Sequence, residues 1–168
     1  MFSQLPERER ILIQIENEPN DTVRIKLIIR YVMVWSQYLD DKKWFDEIYK
    51  LSIKNNFRQG LIYYRYYEGI QLSDKGNYED AIAKVKSCID GLDSIGIIQP
   101  YAYPLYFIRY IYWQAGKKLE MFQYYSAKIV YYRKYGPIEN LADCYHALGR
   151  YYLSLADYDV GGALRSSI

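Results

Sequence analysis

Apolar residues recur every three or four positions along nearly the whole chain, the spacing of one face of a helix. The set Val23, Leu27, Ile28, Tyr31, Val34, Trp35 and Tyr38 follows Asp21, which suits a helix N-cap, and Asp40-Asp41 ends the run. A second helix is expected over residues 43–55, with Trp44, Ile48 and Leu51 on its apolar side, and a third over 58–75, closed by Gly76-Asn77. Its partner runs over 78–92, and a loop follows over 93–100. Pro100 and Pro104 suit the opening turn of the next helix, where a missing N–H costs little, and that helix stops at Gly116. Another covers the residues up to Tyr135, where Gly136-Pro137 breaks it. A long helix over 139–155 and a last one from about Tyr158 complete the chain. With a short leading helix within 1–20, the pattern predicts an all-α protein of about nine helices and no strand.

The pattern also repeats. Gly76, Gly116 and Ala156 recur at one constant interval, and the outer two are each followed by a polar residue and tyrosine, Asn77-Tyr78 and Asp157-Tyr158. The middle copy departs from this with Lys117-Lys118. Two turns before the markers lie Gly69, Arg109 and Gly149, and one turn before lie Leu72, Tyr112 and Tyr152. Tyr38, Trp44 and Leu51 precede Leu72, Tyr78 and Val85 by a second, slightly shorter interval. Glycine at 69 and 149, and Ala81 opposite, would let paired helices approach closely. A hairpin whose apolar face cannot be buried alone must stack on neighbours, so the expected organisation is one domain over 1–168, with repeats at about 22–56, 58–95, 100–135 and 138–168.

The last unit, Tyr145, Leu148, Gly149, Tyr152, Ala156, Asp157 and Tyr158, resembles the tetratricopeptide repeat family, as do Gly69, Leu72, Gly76, Tyr78 and Ala81 in the second unit. The phrase from Asn20 to Leu27, together with the interval between the markers, is similar to N-terminal sensor or interaction regions of bacterial signalling proteins. The resemblance implies an α-solenoid that binds a protein or peptide, as the sensory or docking part of a bacterial signal-transduction or transcription regulator. A self-contained receptor for a short signalling peptide is the alternative within binding proteins. Arg65 and Glu68 depart from the family by occupying apolar slots, and their closeness on one helix would allow them to pair. Arg109 replaces a small residue and predicts a more open third hairpin. The last hairpin lacks a polar capping helix, so self-association through it is expected.

Composition narrows the chemistry. Of 168 residues, 22 are tyrosine, a side chain that buries a ring while keeping its hydroxyl hydrogen-bonded or wet. Twenty-two basic groups against 20 acidic ones leave a formal charge of +2, which argues against nucleic acid, although Arg65, Arg109 and Arg133 among tyrosines keep an RNA-binding repeat as the rival class. Charges at Lys26, Arg30 and Arg109 interrupt every candidate membrane span, and the charged N-terminus has no signal-peptide pattern. The compartment expected by default is the cytoplasm, or the periplasm if an upstream signal has been removed. Cys88 and Cys144, far apart in sequence, read as small apolar fillers in preference to a disulfide or redox pair. The single histidine, His146, has no nucleophile at a telling spacing, and no phosphate-binding glycine loop is present. Neither catalytic residues, a metal site nor a cofactor is therefore expected.

The candidate binding residues form a second stripe. Leu105, Ile108, Arg109 and Tyr112 would pack the third hairpin, leaving Tyr103, Tyr106, Tyr110 and Trp113 on an adjoining side. Shifting by the repeat interval gives Tyr63, Tyr66, Ile70 and Ser73 before it, and Asp143, His146, Arg150 and Leu153 after. By the resemblance this side lines the concave surface. The expectation is a groove with aromatics in the middle and His146 and Arg150 at a cationic end, suited to an apolar or proline-containing peptide. The same spacing would also serve rings that merely fill space between repeats. Family members that hold acidic C-termini use Lys and Asn here, where this chain has Tyr, Ile and Ser, which disfavours that clamp.

Overall fold

Four of the helices stop where a residue enters the left-handed region, and those residues are evenly spaced. Asn56, Gly76, Gly96 and Gly116 have φ of 51°, 76°, 64° and 70°. At Gly76 the amide donates to the Ser73 carbonyl and the Asn77 amide to that of Leu72. At Gly116 the acceptors are Trp113 and, for the Lys117 amide, Tyr112, and Asn56-Phe57 repeats the pattern with Ile53 and Ser52. These paired bonds satisfy the last carbonyls of a helix and reverse the chain. Glycine enters this conformation without a Cβ penalty, and asparagine is among the few others that tolerate it.

The computed structural model describes residues 6–35, 42–96 and 102–165, with side chains except at 102–103 and 157–165. It contains α1 (Glu7–Asn17), α2 (Asp21–Trp35), α3 (Lys42–Lys54), α4 (Arg58–Asp74), α5 (Tyr78–Ser94), α6 (Ala102–Gln114), α7 (Lys118–Tyr135) and α8 (Ile138–Arg165). There is no strand among the described residues, so the fold is all-α as expected. The expectations for Tyr38, Asp40-Asp41 and Pro100 lie outside the described residues.

Eight helices stand among the described residues where about nine are expected, because α8 runs through Ala156, Asp157 and Tyr158 without a turn. The physical reason is Ala156. Alanine is the strongest helix former, and left-handed backbone would cost it about 1–2 kcal/mol. The fourth hairpin is thus a single 28-residue helix among the described residues. Gly136, in contrast, breaks the chain through extended backbone with Pro137 behind it.

Each helix packs chiefly on its neighbours in sequence, and α2 also meets α4, as α6 meets α8. The core is a continuous band of isoleucines and tyrosines: Ile15, Ile25, Ile28, Ile48, Ile62, Ile89, Ile108 and Ile111 are inaccessible or nearly so, as are Cys88 and Cys144. In α2, Ile25, Ile29 and Val32 go inward while Val23 and Val34 face solvent, since α1 and α3 fix which side is covered. The α4–α5 contact is the most extensive. A Cβ at Gly69 would stand 2.5 Å from Val85 Cγ2, which is the close approach expected there. Gly149 has open space around it instead, because among the described residues no second helix folds back on α8.

Polar contacts tie the layers together. Arg24 pairs with Glu47 at 2.6 Å, Lys54 with Asp21 at 2.7 Å and Lys84 with Glu68 at 3.0 Å. Arg65 donates to Ser87 Oγ at 3.0 Å, so Arg65 and Glu68 reach separately across to α5 rather than to each other. Tyr125, buried in α7, donates its hydroxyl to the Leu105 carbonyl and fixes the start of α6.

Candidate functional site

The groove lies between α6 and α8, and small residues allow it. Asn140, Cys144 and Ala147, at helical spacing, are the fully buried face of α8. With that face inward, His146 and Arg150 lie on the flank that meets α6. From α6, Leu105, Ile108, Ile111 and Tyr112 enter the core, leaving Tyr106 and Tyr110 exposed and Trp113 partly buried at the edge of the core. Tyr106, Arg109, Tyr110, Trp113, His146 and Arg150 together line a hollow of about 390 Å³. That volume lies in the lower part of the roughly 300–1,000 Å³ span of ligand sites. Five of the eight residues singled out in the sequence meet here. The side chain of Tyr103 lies outside the described residues.

Tyr63 and Tyr66 do not reach the groove. They are 6 % and 2 % exposed, and Ile70 and Ser73 are buried with them. The cause is that α4 packs against both α3 and α5 and that Phe107 of α6 meets the Tyr66 ring, so its second aromatic stripe is core. Burial holds the Tyr63 hydroxyl protonated well above the ordinary tyrosine range. Tyr66 still contributes indirectly. Its ring meets Phe107 edge-on at 5.6 Å, and Phe107 stacks at 6.0 Å beneath Tyr110, which is 47 % exposed.

Arg109, assigned to the packing stripe by its spacing, lines the groove instead. Its guanidinium lies 4.5 Å above the centre of the Tyr106 ring and its Nη1 is 3.0 Å from His146 Nδ1. Arginine donates, so Nδ1 acts as acceptor and the imidazole proton sits on Nε2. The departure from a small residue at this repeat position was the available clue. Lys118 Nζ lies 4.4 Å over the Trp113 ring at the other end. Asp143, one turn before His146 on α8, does not line the hollow; burial raises its carboxyl above the ordinary value, partly offset by the nearby Arg109 guanidinium.

A second hollow of about 550 Å³ lies between α5 and α7, and the charges on its wall are paired with each other. Lys128 Nζ reaches Asp90 at 2.7 Å and Asp93 at 2.6 Å and sits 5.7 Å from each of the Tyr124 and Tyr131 ring centres. These contacts satisfy an ammonium group on a side chain that is only 12 % exposed, and so fasten α5 to α7.

Among the described residues no group of three His, Cys, Asp or Glu side chains could hold a metal ion, and no helix is long and apolar enough to cross a membrane. Cys88 and Cys144 are free and buried, and burial raises the Cys144 thiol to about 12. No family model, curated protein or solved structure matches the chain.

Proposed function

We propose that the chain is a tetratricopeptide-like helical-repeat module that binds a protein or peptide, serving as the sensory or docking region of a bacterial regulator. The observation that carries the binding reading is the convergence of Tyr106, Tyr110 and Trp113 from α6 with His146 and Arg150 from α8 on one hollow. Sequential packing with next-but-one contacts, α2 to α4 and α6 to α8, supports the stacked-repeat reading. The regulator role rests on the sequence resemblance alone.

Surface rings give a peptide large contact at small loss of rotamer freedom, which favours recognition over catalysis at this place. The test separates binding from packing. Tyr110→Ala and Trp113→Ala should lower peptide affinity by about 2 kcal/mol or more, with melting nearly unchanged for exposed Tyr110 and only modestly lowered for the partly buried Trp113. Tyr66→Ala, a buried truncation, should instead cost about 3–5 kcal/mol of stability. Equal and large losses of melting temperature in all three variants would make these rings core and remove the site.

A further inference from the structure

Resting on the peptide-binding reading, we infer that the groove selects peptides carrying Asp or Glu side chains beside an aromatic or proline residue. Arg24, Arg30, Lys54, Lys84, Lys117 and Lys128 each hold a carboxylate in an ion pair. Arg109 and Arg150, like several other basic side chains, form no such pair among the described residues; what sets these two apart is that both line one hollow together with three aromatic rings. Arg109 is spread over Tyr106 and held by His146, so its fork is oriented, with Asp143 near enough to feel its charge. Arg150 is exposed on the same flank, one turn beyond His146.

A guanidinium offers a rigid set of donors matched to a carboxylate, and the strength of that bond rises where rings exclude water. The groove therefore presents two cationic forks beside three rings, with Asp143 outside the lining as the nearby acid. An uncharged peptide would leave both forks unused, and a basic one would meet like charge. A side-chain carboxylate on the ligand completes the arrangement, with its neighbouring ring on Tyr110 and Trp113.

The test uses pools of short peptides with acetylated N-termini and amidated C-termini, so that side chains supply every carboxylate. The pools carry one fixed aromatic or proline residue with Glu, Gln or Lys at the flanking positions. Binding to the full 168-residue chain is compared with Arg109→Gln, Arg150→Gln, Tyr110→Ala and Trp113→Ala. The Glu pool should bind most tightly, and each arginine variant should lower its affinity about tenfold or more while leaving the Gln pool unaffected. Arg150→Gln alters an exposed side chain, so its result stands even if Arg109→Gln disturbs folding. Equal binding of all three pools, still dependent on Tyr110 and Trp113, would overturn the charge inference and leave peptide binding standing. No groove-dependent binding of any pool would overturn both. An oligouridylate that binds through the same arginines while the peptides do not would overturn both in favour of RNA.

Discussion

Gly69 and Gly149 occupy the same place in two of the sequence repeats, yet a methyl group would meet different surroundings at each. At Gly69 it would strike Val85, whose β-branched side chain is fully buried and has no room to turn away. Gly69→Ala should therefore destabilise the protein, the overpacking cost of about 1–3 kcal/mol exceeding the gain in helix propensity. Gly149→Ala adds its methyl to open space and should stabilise α8 by about 0.5–1 kcal/mol. Denaturant unfolding of the two variants checks the opposite signs, and the same sign for both would contradict the packing described. The glycine–valine contact was legible in the repeat, since Gly69 and Ala81 are the small residues that a close helix pair needs. The freedom of Gly149 was not, because it depends on which helices face it. Arg109 shows the same limit: its spacing puts it beside Leu105 and Ile108, and only its contact with His146, distant in sequence, turns it toward the groove.

At the level of elements, α-helix positions could be read from periodicity because the stops are local chemistry. Gly76, Gly96 and Gly116 end helices through their own positive φ. The misread element is α8, where Ala156 stands at the spacing of a stop but lacks the conformational freedom of one. Positions 142 and 162 then lie about 30 Å apart along a continuous helix, from the rise of about 1.5 Å per residue. A hairpin turning at 156 would bring them under about 20 Å, two helices packing about 8–10 Å apart. Spin labels at Ala142→Cys and Gly162→Cys distinguish these by their dipolar distance. The native thiols of Cys88 and Cys144 are buried and should remain unlabelled. The longer distance is expected, and the shorter one would restore the fourth hairpin. The second aromatic stripe of α4 was misread for a different reason. Periodicity gives the angular position of Tyr63 and Tyr66 but not which neighbours cover that angle, and packing against α3, α5 and Phe107 of α6 buries it.

For the whole molecule, the near balance of charge conceals an uneven distribution. Some basic side chains join layers in ion pairs, as Lys128 does between α5 and α7, while, among the described residues, the α6–α8 groove brings two arginines without such a pair beside three rings. The central claim is that this groove, and no other face, receives the ligand. Trp113 is its reporter, since Trp44 is core and Trp35 lies at the end of α2. In the Trp35→Phe/Trp44→Phe protein, Trp113 emission is followed while the acidic aromatic peptide pool is added. The account predicts a saturable change that Tyr110→Ala weakens and that Arg150→Gln moves to higher peptide concentration. Emission that stays constant while the same peptides demonstrably bind would place the ligand elsewhere on the molecule and contradict the account.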